Sequence, residues 1–148
     1  YMMLKRILDL DFSGKTVLDM GCGTGVLAIL AEMKGAGKVD AIDIDEWCYI
    51  NTKENIERNR CENIDAFQGD VGLIKEKKYD VILANINRNI LLEDIPAYRN
   101  SLKEEGILLL SGFYNEDLNR IKDACASIKM DFVDNLEKNN WVTALFQL

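Results

Sequence analysis

The chain of 148 residues contains no histidine. No imidazole is available as a catalytic base or to complete a metal site, and no metal is expected. Proline occurs once, and no segment is rich in Pro, Gly or Ser, so a linker between two domains is not expected. The four cysteines, Cys22, Cys48, Cys61 and Cys125, form no C-x-x-C pair. Free thiols in a reducing compartment are the simplest reading. No apolar run approaches the roughly 20 residues of a membrane-spanning helix. No signal-peptide pattern is visible, so a cytoplasmic protein without a membrane partner is expected. Positive charge is the minority sign: 18 Lys and Arg stand against 25 Asp and Glu, a net charge of −7. Such a surface repels phosphate backbones, and direct nucleic-acid binding is not expected. A basic protein or an amine-bearing substrate fits better.

What is present is the raw material of one globular domain, with 48% hydrophobic residues. Apolar runs alternate with amphipathic ones, the pattern of an α/β fold. Helices are expected over Met2–Leu10, Val26–Lys34, Glu46–Asn59, Leu91–Leu102 and Glu116–Ile128. Pro96 is compatible with the fourth only in its first turn. Strands are expected over Thr16–Met20, Lys38–Asp43, Ile64–Gln68, Tyr79–Ala84 and Gly106–Gly112. Two further strand-like stretches, Met130–Glu137 and Trp141–Leu148, are joined through Asn139 and Asn140. Asparagine accepts the left-handed backbone of a tight hairpin. The chain opens at Tyr1 inside a helical pattern, and a longer parent protein is expected.

The most informative stretch is Val17-Leu18-Asp19-Met20-Gly21-Cys22-Gly23-Thr24-Gly25. It reads as a strand, a glycine turn and a helix start, over which a ligand can lie directly on the backbone. Asp19 would repel a pyrophosphate but favours the cationic amino group and sulfonium of S-adenosylmethionine. The turn therefore points to a methyltransferase. The terminal hairpin agrees. It reverses one strand of an otherwise parallel sheet, as expected of a class I methyltransferase and not of a dinucleotide domain. The fold expected is a Rossmann-like seven-stranded sheet, mostly parallel with an antiparallel C-terminal strand and helices on both faces.

The expected cofactor contacts follow the carboxyl ends of the strands. At the first turn they are Asp19, Gly21, Cys22, Gly23 and Gly25. After the second strand they are Asp43, placed to accept both ribose hydroxyls, and Ile44. Asp45 is the better helix cap. After the third strand Asp70 can accept the adenine amino group and Val71 can offer its N–H to the ring. After the fourth, Asn85 meets the cofactor and, with Ile86, forms the expected catalytic pair. An amide oxygen plus a backbone carbonyl can take an amine's hydrogens and aim its lone pair at the methyl carbon. Loop capping by Asn85 and Asn87 is the lesser alternative. Cys22 needs only to be small. Tyr79, Tyr98 and Tyr114 read as core or rim. No base is obligatory. Deprotonation at pH 7 costs about 4.6 kcal/mol for a lysine amine and only about 1–1.4 kcal/mol for an α-amine.

LDMGCGTGVLAI, AIDID, KENIERN, YDVILANI, GILLLSGF and NNWV together resemble the PrmA family of ribosomal-protein methyltransferases over nearly the whole chain. The resemblance implies S-adenosylmethionine-dependent trimethylation of lysine side chains and the N-terminal α-amine of large-subunit ribosomal protein eleven. It implies cofactor contacts at Gly21, Asp43 and Asn85, with Asn85 beside the acceptor. Two departures stand out. Asn87 occupies a position that is usually apolar in the family. The small N-terminal domain and the glycine–threonine–histidine segment that precede the catalytic domain in relatives are not in this sequence. Residues 1–148 are thus expected to be the methyltransferase domain alone. Another amine, small molecule or nucleobase, is the alternative acceptor, although nucleobase enzymes usually carry Asn-Pro-Pro-aromatic where this chain has Asn-Ile-Asn. A domain that binds cofactor without activity is the other.

Overall fold

Alternation along the strands organises this protein. In β1 (Thr16–Met20), Val17 packs on one side of the sheet while Leu18 and Met20 pack on the other. The same division recurs in β2 (Lys38–Asp43), where Val39 and Ala41 oppose Ile42, and in β4 (Tyr79–Asn85), where Val81 and Leu83 oppose Ile82 and Ala84. A strand buried on both faces needs apolar residues at consecutive positions, which is why Val81–Ala84 reads as a continuous run, while β1 and β2 each admit one buried acid, Asp19 and Asp40. The computed structural model describes residues 1–148.

The seven strands lie in the order β3-β2-β1-β4-β5-β7-β6. β3 spans Ile64–Gln68, β5 Leu102–Tyr114, β6 Asp131–Lys138 and β7 Trp141–Gln147. All neighbours are parallel except β7, which runs antiparallel to both β5 and β6. Helices α1 (Met2–Asp9) and α2 (Val26–Met33) cover one face through Met3, Ile7, Leu27, Ala28 and Ala31. Helix α3 (Glu46–Arg58) adds Ile56 to the same side. Helices α4 (Arg88–Ser101) and α5 (Leu118–Ser127) cover the other through Leu91, Ile95, Tyr98, Ile121 and Cys125. No helix is long and apolar enough to cross a membrane.

The hairpin between β6 and β7 turns through Asn139 and Asn140, both with positive φ (52° and 67°). These are the values a two-residue type I′ turn requires. Three elements start two or more residues away from the sequence expectation. Helix α4 starts at Arg88, three residues before Leu91, because Asn87 accepts a hydrogen bond from the Ile90 N–H and caps it there. Pro96 consequently lies well inside the helix and not in its first turn. The burial of Leu91, Ile95 and Tyr98 on one face offsets the hydrogen bond that Pro96 cannot donate. Strand β5 starts at Leu102, ahead of Gly106, by pairing with Tyr79 across a register shift. Helix α5 starts at Leu118, since Asn115–Asp117 form a 3₁₀ turn.

The order of strands reverses between β1 and β4, both fed by connections that leave the sheet on opposite sides. Open α/β sheets bind their ligands at such a point, outside the carboxyl ends of the strands.

Candidate functional site

The chain leaves β1 at Met20 and turns through Gly21, Gly23 and Gly25, with φ of 72°, 58° and 80°. At Gly21 space forbids a side chain as well, since a Cβ would overlap Cγ2 of Ile86. The turn is held from two sides. From β2, the Ile42 carbonyl accepts from Gly21 N and Cys22 N at 2.8 and 3.1 Å, and Asp43 Oδ2 accepts from Gly23 N at 2.9 Å. From α3, Thr52 Oγ1 donates to the Gly23 carbonyl at 3.0 Å and Asn55 Nδ2 to the Thr24 carbonyl at 2.8 Å. Thr52 and Asn55 were not among the sequence candidates. Their trace in the sequence is two polar residues one turn apart on the face of α3 that meets the turn.

Two cavities flank this turn and meet at Gly21 and Asn85. The first, of about 340 Å³, is bounded by Gly21, Asp43, Ile44, Asp70, Val71, Asn85, Ile86, Ile90 and Asp94, among others. It combines an acid at the end of β2 with apolar walls from Ile44, Ile86 and Ile90. The second, of about 470 Å³, lies between the turn (Gly21–Thr24), the start of α1 (Tyr1–Leu4), and Asn85, Ser111, Gly112 and Trp141. Of the residues expected at the site, Gly21, Cys22, Gly23, Asp43, Ile44, Asp70, Val71, Asn85 and Ile86 line one or both cavities. Asp19 and Gly25 line neither. Gly25 is the residue that precedes α2, where a Cβ would press on Thr52.

Comparison with known proteins decides the lineage. The family model described as "Ribosomal protein L11 methyltransferase (PrmA)" matches residues 1–148. The chain belongs to the PrmA family. It is 49% identical over 145 residues to a ribosomal protein L11 methyltransferase of Phocaeicola vulgatus, covering 97% of this chain and 52% of that protein. It is 47% identical over 146 residues to one of Porphyromonas gingivalis, covering 98% and 50%. The chain thus spans about half the length of the curated relatives it matches. The crystal structure of a ribosomal protein L11 methylase from Lactobacillus delbrueckii superposes with a TM-score of 0.92 at 29% identity, over 97% of this chain and 75% of that one.

Within this PrmA-family domain, Asp19 is fully buried behind the turn. Its Oδ2 accepts from Ala28 N at 3.1 Å, at the start of α2, and its Oδ1 has no partner. Burial pushes its pKa up to about 7, opposed by the Ala28 bond and reinforced by the charge of Asp43. The native state therefore holds this proton more tightly than the unfolded chain. Stability is greatest while Asp19 is protonated and declines as pH rises from about 4 to about 7. The loss is of order 4 kcal/mol at most. Asp19→Asn, which does not titrate, should gain on the wild type in urea midpoint as pH rises from about 4 to 8, with the largest gain at pH 8. A wild-type advantage that grows toward pH 8 would mean that Asp19 is ionised and stabilising.

Cys22 is buried with Sγ 3.3 Å from Thr52 Oγ1. Burial, and next the charge of Asp19, push its thiol up to about 12, so it is no nucleophile. Asp43 keeps some exposure, and each of its oxygens holds one N–H, Gly23 on Oδ2 and Asp45 on Oδ1 at 3.0 Å. Asp45 caps α3 by accepting from Cys48 N. Asp70 accepts from Gly72 N at 2.8 Å and opens the 3₁₀ turn Val71–Ile74. Asn85 is exposed at the junction of the cavities, whereas Asn87 is the helix cap. A Cβ at Gly112 would overlap the carbonyl oxygen of Ile86. Gly112 (φ 95°) sits at the shift in register between β5 and β7 and lets the loop after β4 approach. Beside it, Thr143 Oγ1 donates to Ser111 Oγ, which donates to the Val142 carbonyl. Tyr79 and Tyr98 are core residues, and Tyr114 packs on Trp141 at 4.3 Å between ring centroids on the rim.

Proposed function

We propose that residues 1–148 form the methyltransferase domain of a protein N-methyltransferase. It binds S-adenosylmethionine across the glycine turn and methylates lysine side chains and the N-terminal α-amine of ribosomal protein L11. One arrangement carries this reading. Asp43 and Asn85, at the carboxyl ends of β2 and β4, open on the same cleft at the switch point, on either side of Gly21. The substrate follows from what the PrmA relatives are named for. It also suits an acidic domain, whose net charge of −7 favours a basic protein partner in the cytoplasm.

The residues fit the ligand. Each Asp43 oxygen already holds a backbone N–H and retains a lone pair for a ribose hydroxyl. Ile44, Ile86 and Ile90 offer flat apolar walls to a purine, and the free N–H of Val71 at the start of its turn can meet a ring nitrogen. Asp19 lines neither cavity, but a cationic amino group over the turn would favour its ionised form from the far side, where Oδ1 has no other partner. When bound, S-adenosylmethionine supplies a methyl carbon made electrophilic by its sulfonium. The chain's task is then to position the acceptor. The Asn85 amide oxygen would take one amine N–H and a backbone carbonyl of the loop after β4 the other, leaving the amine's lone pair for the methyl carbon. Exclusion of water favours the neutral amine.

The test is mass spectrometry of ribosomal protein L11 incubated with this chain and S-adenosylmethionine bearing a deuterated methyl group. The Phocaeicola vulgatus relative serves as the comparison. Labelled methyl groups on lysine and N-terminal amines are expected. An unmodified L11, with S-adenosylhomocysteine still binding by calorimetry, would overturn the substrate and leave the cofactor.

A further inference from the structure

Of the three carboxylates that line the cavity with Val71, Asp94 alone has no role so far. Asp94 lies one helical turn after Ile90 on α4, and both line this cavity. Tyr98, buried beneath, donates to Asp94 Oδ2 at 3.3 Å. That bond leaves Oδ1 unused. Asp70, which lines the same cavity, spends Oδ1 on Gly72 N and leaves Oδ2 unused. The two carboxyl groups feel one another. Burial is the main cause that raises the Asp94 carboxyl, against the Tyr98 bond, and the charges of Glu93 and Asp70 add to it. No Lys or Arg lines the cavity to offset them.

Two acceptors lining one cavity suit a group with two donors, and the walls of Ile44, Ile86 and Ile90 suit a flat ring that carries it. The exocyclic amine of adenine is such a group, with two N–H bonds in the plane of the ring. A ring carbonyl at that position would set lone pairs against both acids. We infer that Asp94 is a second acceptor for the adenine amine, acting with Asp70, and that the pair makes the cavity select adenine over bases with a carbonyl there. The inference rests on the S-adenosylmethionine reading.

Calorimetry with S-adenosylhomocysteine and its deaminated analogue, S-inosylhomocysteine, tests it. The wild type is expected to prefer the adenosyl compound by at least about a hundredfold, as sites built to read an N–H do. Asp94→Asn keeps an acceptor for Tyr98 and adds an NH₂ that can meet a carbonyl. It should reduce that preference by about tenfold, chiefly by tighter inosyl binding. Asp94→Ala should lose about tenfold in adenosyl affinity, and it decides the matter if the amide variant does not fold. A wild-type preference retained in both variants would overturn the role of Asp94. A wild type that binds neither compound would overturn the cofactor reading itself.

Discussion

Asp43→Ala is expected to lower affinity for S-adenosylhomocysteine by at least about a hundredfold in calorimetry. Two charge-assisted hydrogen bonds to ribose hydroxyls are together worth roughly 3–6 kcal/mol. The carboxylate has a second task, because it accepts from Gly23 N and from Asp45 N and so joins the glycine turn to the start of α3. The variant should therefore melt at a lower temperature as well. Asp43→Asn should bind almost as poorly as the alanine variant. One end of its amide is an NH₂, which must face one of the two backbone donors. Unchanged affinity in Asp43→Ala would remove Asp43 from the ribose site and leave it only the task of holding the turn.

Asn85→Ala should separate chemistry from binding. Single-turnover methyl transfer is expected to fall by roughly 10²–10³-fold, the usual consequence of losing one positioning contact at the reacting centre. Affinity for S-adenosylhomocysteine should change by less than about threefold, since Asp43, the turn and the walls of the first cavity remain. Asn85→Asp should not restore the rate at pH 7. A carboxylate holds the acceptor amine in its protonated, unreactive form, so activity should recover only at higher pH. Equal losses in rate and affinity for Asn85→Ala would make Asn85 a cofactor ligand alone.

Much of this molecule is legible in its amino-acid order. The central strands β1, β2 and β4 could be placed because both of their faces are buried, which demands mostly apolar residues on each; β3, at the edge, had the weaker signal. The hairpin could be placed because its two asparagines tolerate positive φ. Pro96 misled the placement of α4. Its cost is local and visible in the sequence, while the burial of Leu91, Ile95 and Tyr98 that offsets it depends on the sheet beneath. The expected start of β5 at Gly106 failed for a similar reason, since Leu102 becomes a strand residue only by pairing with Tyr79.

The site divides the same way. Order alone places Asp19, Asp43, Asp70 and Asn85 at successive strand ends, and it determines the glycine turn, the reversed last strand and the family. These are local matters of backbone conformation and of alternation along a strand. Tertiary structure decides which acids face the cleft. It buries Asp19 behind the glycine turn and brings Asp94 from α4 into the cavity that Asp70 lines. It supplies Thr52 and Asn55 from α3 to hold the turn, and Gly112 from β5 to admit the loop that carries Asn85. A side chain's charge, partner and exposure depend on groups far away in the chain, and these meet only when the sheet is assembled.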